Sequence, residues 1–187
     1  AGTAAGGDVS CDGSAVSIGV APQARILPIR VFAADGSGTL GDVIDGIDEA
    51  VRQGADVVNL SLSDGAVIAR AIGGTSADFA AAINRAWDAG TIPVLAAGND
   101  GLFGSLLGSG YGGLNAVVVT SVTASGLRPG YATATGSAKW GIAAPGGSGS
   151  SVDTAILSAW PGTQCALLTG TSMAAPHVAG ALALLRS

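Results

Sequence analysis

Charged and aromatic residues are both scarce in this 187-residue sequence, at 11% and 4% of positions. Intrinsic disorder is excluded, because disordered chains combine low hydrophobicity with high charge, whereas 48% of the residues here are apolar. The net charge of −5 and the absence of any basic run exclude nucleic acid as a partner, since phosphates attract clustered lysine and arginine. No stretch approaches the roughly 18 unbroken apolar residues of a membrane-spanning helix, so no membrane partner is expected.

Histidine, lysine and cysteine are also few. The sequence has one histidine, His177, one lysine, Lys139, and two cysteines, Cys11 and Cys165. No Cys/His cluster has the spacing of a metal site, so no cofactor is required by the pattern. The two cysteines either form a disulfide in an oxidising compartment or lie buried as small apolar side chains.

Small residues are abundant instead, with 31 glycines and 36 alanines. Short strands that are apolar on both faces alternate with helical patterns of about a dozen residues, which indicates a parallel sheet covered on both sides. The sequence therefore predicts one α/β domain over 1–187, with three layers and a mainly parallel sheet. Strands are predicted over 25–32, 56–62, 92–97, 116–122 and 140–143, a hairpin over 156–160 and 165–168, and helices over 43–54, 76–90 and 172–185.

The most informative stretch is Gly170–Gly180 (GTSMAAPHVAG). A serine in the first turn of a buried helix lies beside unpaired backbone N–H groups and the positive end of the helix dipole. The same groups stabilise an oxyanion on a substrate held there. On these grounds alone Ser172 is either an ordinary helix cap or a nucleophile.

The whole string resembles the active-serine signature of the subtilisin-like serine proteases, or subtilases. Four further segments resemble the same family in the same order along the chain. They are 19–24 (GVAPQA) with the predicted strand after it, 35–38 (DGSG) with the helix and the 59–63 segment (NLSLS) that follow, 96–101 (AAGNDG) and 144–146 (APG).

The resemblance implies a subtilisin-like fold and peptide or protein substrates. It implies that Ser172 is the nucleophile and that Asn99 contributes its side-chain amide to the oxyanion hole. The substrate backbone is expected to pair between two segments, Gly36, Ser37, Gly38 and Ser61, Leu62, Ser63. Leu40 is expected to border the fourth pocket on the acyl side, and Ala96, Ala97 and Gly98 to line the first pocket.

Two parts of the family's catalytic triad have no match here. Neither the Asp motif (Asp, then Ser or Thr, then Gly) nor the His-Gly-Thr-His motif occurs. His177 lies five residues after Ser172 on one predicted helix, so the two side chains point about 140° apart and His177 is expected to be structural. Lys139 has no expected proximity to Ser172. Residues 1–6 resemble the segment that follows the His motif, so the chain is expected to be a catalytic domain truncated at both ends.

Three functions remain open. The chain is the serine-bearing part of a secreted endopeptidase, with Asp and His on an upstream segment. The expected partner is that N-terminal segment or a second copy of the chain. Alternatively, it is an inactive truncated domain that serves as a binding or scaffold module, or an esterase with an unconventional base. Calcium is a candidate cofactor, with Asp8, Asp12 and the 14–19 loop as its candidate ligands, because relatives often have a calcium loop there. The sequence of this loop lacks the asparagine-rich pattern of those relatives.

Overall fold

A computed structural model describes residues 1–7, 9–11, 15–62, 77–101, 109–161 and 164–187. In chain order the helices and strands are α1 (Gly2–Ala5), β1 (Val9–Cys11), β2 (Ala15–Ser17), α2 (Leu40–Arg52), β3 (Val57–Leu60), α3 (Ala77–Asp88), β4 (Ile92–Ala96), β5 (Val117–Val122), β6 (Trp140–Pro145), β7 (Ile156–Trp160), β8 (Gln164–Leu168) and α4 (Thr171–Leu185), with a 3₁₀ turn over Ser109–Gly113 before β5.

The main sheet has four parallel strands in the order β3–β4–β5–β6. Val57 pairs with Ile92, Val94 with Val117, and Val117 with Trp140. Consecutive parallel strands need a crossover connection. The predicted mainly parallel sheet is confirmed, although its strands differ from the predicted bounds by one or two residues at some ends.

Side chains that alternate along each strand build two separate cores on the two faces of this sheet. Leu95 and Val118 face one core, which also contains Phe79 of α3 and Ile47 of α2. The neighbouring residues Val94, Ala96 and Val119 face the other core, against Ala174, Ala175, Val178 and Ala179 of α4. The three-layer α/β architecture is therefore confirmed.

Local sequence explains where α2 begins and ends. The Thr39 hydroxyl accepts the N–H of Asp42, and the Asp42 carboxylate accepts the N–H of Thr39, which is a capping box. Past the other end, Gly54 has φ +74°, a left-handed conformation that glycine adopts without strain.

The predicted strand over 25–32 is wrong, because the structure has no regular secondary structure there. A strand needs backbone hydrogen bonds to a neighbour, and no described strand pairs with this segment. Pro28 also lacks a backbone N–H. The side chains of Ile26 and Leu27 are 48% and 45% exposed. Apolar composition therefore gave a segment without a partner strand among the described residues.

The predicted hairpin is confirmed: β7 and β8 are antiparallel, with Ile156 opposite Leu168 and Trp160 opposite Gln164. A second antiparallel pair, β1 and β2, was not predicted.

Cys165 in β8 is disulfide-bonded, and no described cysteine is free. Because Cys11 is the only other cysteine in the sequence, the disulfide alternative holds.

The helices of the described ranges include none with the length and hydropathy of a membrane span.

Gly180 lets α4 approach the start of the chain. A Cβ at this position would lie 2.7 Å from the carbonyl oxygen of Ala4 and 2.8 Å from Cβ of Val20. We expect Gly180→Leu to lower the free energy of unfolding by about 3 kcal/mol or more through overpacking, measured by urea denaturation. Gly41→Leu in α2 is the matched control, because that glycine is exposed and a Cβ there would lie 3.4 Å from the Thr39 hydroxyl, an ordinary contact distance. An unresolvable shift of the Gly180→Leu midpoint would contradict a tightly packed α4.

Candidate active site

Residues from several strand ends meet at the amino end of α4. The N-cap residue Gly170 donates its N–H to the carbonyl of Gly146, just past β6, at 2.8 Å. A Cβ on Gly170 would lie 3.3 Å from Nδ2 of Asn99, and one on Gly146 would lie 2.1 Å from Oγ of Ser121. At Gly146 this approach leaves no room for a Cβ, and at Gly170 the contact is tight and the backbone has φ +157°, which other residues rarely adopt. The site lies at the carboxyl edge of the parallel strands, where ligands bind in folds of this kind.

Asn99 follows β4 and is oriented by the first residue of α4. The backbone N–H and the hydroxyl of Thr171 donate to Oδ1 of Asn99 at 2.9 and 3.1 Å. The Thr171 hydroxyl in turn accepts the N–H of Gly98 at 3.1 Å, and Thr171 is fully buried. Since Oδ1 accepts both bonds, the Nδ2 end of the carboxamide is left beside Gly170 as a hydrogen-bond donor.

Ser172 is the second residue of α4 and is half-buried. Its Oγ is buried and has no hydrogen-bond partner among the described residues. Its carbonyl accepts a hydrogen bond from Oγ of Ser61, past the end of β3, at 2.9 Å. A buried hydroxyl without a partner is costly, which makes this atom a candidate for contact with another molecule.

The two candidate bases considered from the sequence, His177 and Lys139, form hydrogen bonds away from Ser172. Nδ1 of His177 lies 2.8 Å from the carbonyl of Met173, one turn back along α4. Nζ of Lys139 donates to Asn115 at 2.9 Å and lies 5.2 Å from the ring centroid of Trp140. Neither side chain forms a hydrogen bond with Ser172.

The predicted substrate segments have different surroundings. The hydrogen bonds described for 36–38 are local: the carbonyl of Ser37 accepts from Ala33, and its N–H and hydroxyl donate to Asp35. Leu40 is partly buried against the α2–α3 core. Ser61 contacts α4, as described above, while Ser63 lies outside the described residues.

The predicted first-pocket residues straddle the end of β4. Ala96 and Ala97 are buried, one in each core, and Gly98 has φ +101°. The hydroxyl of Tyr111 donates to the carbonyl of Ala97 at 2.8 Å. Burial, with a smaller contribution from the charge of Asp100, raises the pKa of Tyr111 to about 12. The phenol therefore stays a protonated donor to this loop well above neutral pH.

A metal site is not apparent in the described ranges, where no three His, Cys, Asp or Glu side chains cluster suitably. Asp8, Asp12 and Ser14 of the predicted calcium loop lie outside those ranges. The calcium loop stays a prediction.

Sequence reasoning missed two polar side chains at this site, those of Thr171 and Ser61. The motif predicts no role for Thr171, although a threonine at the start of a buried helix has a hydroxyl that needs hydrogen-bond partners. The family resemblance predicts only a backbone role for Ser61.

We expect Thr171→Val to slow the reaction of Ser172 with an activated ester about tenfold, because it removes one bond to Asn99 and leaves the Gly98 N–H unpaired. Thr91→Val is the matched control, since that buried threonine bonds the carbonyl of Ala55 at the opposite end of β4. It should lower stability without changing the rate. Equal rates for the Thr171→Val variant and the unmodified chain would show that Thr171 does not orient Asn99.

Comparison with known proteins yields relatives across the whole chain. The family model described as the subtilase family matches residues 1–187. Thermitase from Thermoactinomyces vulgaris is 39% identical over 171 residues, covering 90% of this chain and 54% of that protein. Subtilisin DY from Bacillus licheniformis is 35% identical over 187 residues, covering 98% of this chain and 61% of that protein. The chain thus spans little more than half the length of these relatives.

Solved structures of subtilisin-like proteins resemble this fold. A cold-adapted subtilisin-like serine proteinase superimposes with a TM-score of 0.69 and 30% identity, over 90% of this chain and 56% of that one. The patellamide maturation protease PatA superimposes with a TM-score of 0.69 and 29% identity, covering 93% of this chain and 60% of that one. Since the family model matches all 187 residues and the fold superimposes on a subtilisin-like serine proteinase with a TM-score of 0.69, this chain belongs to the subtilase family.

Proposed function

We propose that this chain carries the nucleophile and the oxyanion donors of a serine endopeptidase that acts on peptides or proteins. The observation that carries the proposal is the hydroxyl of Ser172, which is buried at the amino end of α4 with no hydrogen-bond partner among the described residues. Membership of the subtilase family supports the reaction class.

The reaction starts when Oγ of Ser172 attacks the carbonyl carbon of the scissile peptide bond and passes its proton to a base. The carbonyl oxygen becomes an oxyanion, which accepts hydrogen bonds from the backbone N–H of Ser172 and from Nδ2 of Asn99. The base then protonates the amine as the C–N bond breaks, leaving an acyl ester on Ser172. Water, deprotonated by the same base, hydrolyses that ester and regenerates the hydroxyl.

The base comes from outside these 187 residues. His177 is held against Met173 and Lys139 against Asn115, so neither side chain is placed to take the proton of Ser172. The family resemblance assigns the base to a histidine supported by an aspartate, and both of the corresponding motifs are missing from this sequence.

The substrate chain is proposed to lie as an added strand between Gly36–Gly38 and Ser61–Ser63. Leu40 borders one pocket in this arrangement, and Ala96, Ala97 and Gly98 line the first. Small residues there favour a broad side-chain preference.

An extracellular location is part of the same proposal. The disulfide at Cys165 supports it, because disulfides persist in oxidising environments outside the cytosol.

The test compares an activated ester, p-nitrophenyl acetate, with a peptide substrate, using the chain with and without Ser172→Ala. We expect slow ester turnover, because the p-nitrophenolate leaves without a proton, and negligible peptide cleavage. Ser172→Ala should remove the ester reaction, whereas Ser125→Ala, an exposed serine in the turn after β5, should not. Efficient peptide cleavage by the chain alone would reveal an unrecognised base. Ester turnover that survives Ser172→Ala would show that Ser172 is not the nucleophile, and no ester turnover at all would favour the inactive binding module.

A further inference from the structure

The carbonyl of Ser172 cannot accept the usual backbone hydrogen bond within α4. In an α-helix the carbonyl of one residue accepts the N–H of the residue four positions later. Four positions after Ser172 is Pro176, inside the helix, and proline has no N–H. The proline ring also crowds the carbonyl four residues before it. The residue proposed as the nucleophile therefore lacks its helical donor on its own carbonyl.

Another strand end supplies a donor in its place. Oγ of Ser61 donates to the carbonyl oxygen of Ser172 at 2.9 Å, across 111 residues of sequence. Ser61 is partly buried and immediately follows β3.

The orientation of the Ser61 hydroxyl is itself set by a neighbour. Nδ2 of Asn59 donates to Oγ of Ser61 at 2.8 Å. Residues two apart on a strand share a face, which brings these two side chains together. A hydroxyl has a single proton. With Asn59 donating to its oxygen, that proton is directed at the carbonyl of Ser172.

We propose that Ser61 is a positioning residue for Ser172 and that its hydroxyl replaces the amide that Pro176 lacks. This inference rests on the proposed role of Ser172. The N–H that serves the oxyanion and the Oγ that attacks both belong to the residue whose carbonyl Ser61 holds. Holding that carbonyl fixes the peptide plane between Ser172 and Met173, and with it the first turn of α4. This role belongs to the side chain of Ser61 and is separate from any pairing of its backbone with substrate.

A double-mutant cycle isolates this role, because Pro176→Ala restores the missing N–H. The proteins are the unmodified chain, Ser61→Ala, Pro176→Ala and the double variant. Ser61→Thr keeps the hydroxyl, and Ser125→Ala is a distant serine control. The first readout is the rate at which p-nitrophenyl acetate acylates Ser172. The second is the carbonyl ¹³C shift of Ser172, observed through the amide of Met173.

We expect Ser61→Ala to slow acylation about tenfold, the loss that follows from leaving a partly buried carbonyl without its donor. The carbonyl ¹³C resonance of Ser172 should move upfield in the same variant. In the Pro176→Ala background, the Ser61→Ala change should alter the rate about twofold at most, because the helical bond now forms. Ser61→Thr should slow acylation less than Ser61→Ala does, because its hydroxyl can still donate to the carbonyl of Ser172.

The experiment distinguishes a failure of the proposed nucleophile from a failure of the positioning role. An unmodified chain whose Ser172 is not acylated contradicts the proposed nucleophile, whatever the ¹³C shift shows. A Ser172 carbonyl shift that Ser61→Ala leaves unchanged, or an equal effect of Ser61→Ala in both backgrounds, overturns the positioning role.

Discussion

Peptide cleavage by the 187-residue chain is expected to rise by several orders of magnitude when the subtilase segment that carries the Asp and His motifs is added in trans. Taken from a subtilase that carries both motifs, this segment supplies the base proposed to act on Ser172. In subtilisin, a relative of this chain, loss of the triad costs about 10⁶ in kcat, and that measured figure sets the upper scale of the gain. The measurement is the rate of peptide hydrolysis against the concentration of added segment.

The fold offers such a segment a place to bind. β3 is at the edge of the described main sheet, so one side of its backbone is available for pairing. The segment 25–32 has no strand partner in the described residues, and it exposes Ile26 and Leu27.

Two controls accompany this experiment. A segment with its histidine replaced by alanine should bind without activating, and Ser172→Ala should abolish the gain with the intact segment. Activation that persists in the Ser172→Ala chain would mean that the chemistry takes place elsewhere.

Asn99→Ala is expected to reduce the activity of the complemented chain by about 10² to 10³, the range measured for the oxyanion asparagine of subtilisin. The loss should fall mainly on kcat, because the Nδ2 bond to the oxyanion exists only once the charge develops. Steady-state kinetics on a peptide substrate measure both parameters.

Asn99→Asp separates the donor role from a structural one. An aspartate keeps an oxygen for the N–H and hydroxyl of Thr171 but replaces the Nδ2 donors with a second, negatively charged oxygen. It should therefore be at least as inactive as Asn99→Ala. Asn84→Ala is the matched control, because both ends of that carboxamide are engaged away from the site, by Gly113 and Asn115. Near-full activity of Asn99→Asp would limit Asn99 to a structural role.

Periodic patterns in the sequence were sufficient for most of the fold. The two-faced apolar strands around Val94 and Val118 could only belong to a sheet covered on both sides, and the cores on its two faces bear this out. The segment 25–32 has the same apolar, β-branched composition but no partner strand, so composition alone could not distinguish it from a true strand. The β1–β2 pair is too short to leave a periodic signal.

The motif around Ser172 and the periods of the strands are local features, so they were sufficient to identify the family, the three layers and the candidate nucleophile. How Ser172 is held depends instead on contacts made in the folded chain. Thr171 orienting Asn99, Gly146 meeting Gly170 and Ser61 reaching the Ser172 carbonyl each join residues more than 20 positions apart. Such contacts depend on which strand ends the parallel sheet brings to the amino end of α4. Hydrogen bonds formed across that edge have no period along the chain, so no pattern in the sequence could reveal them.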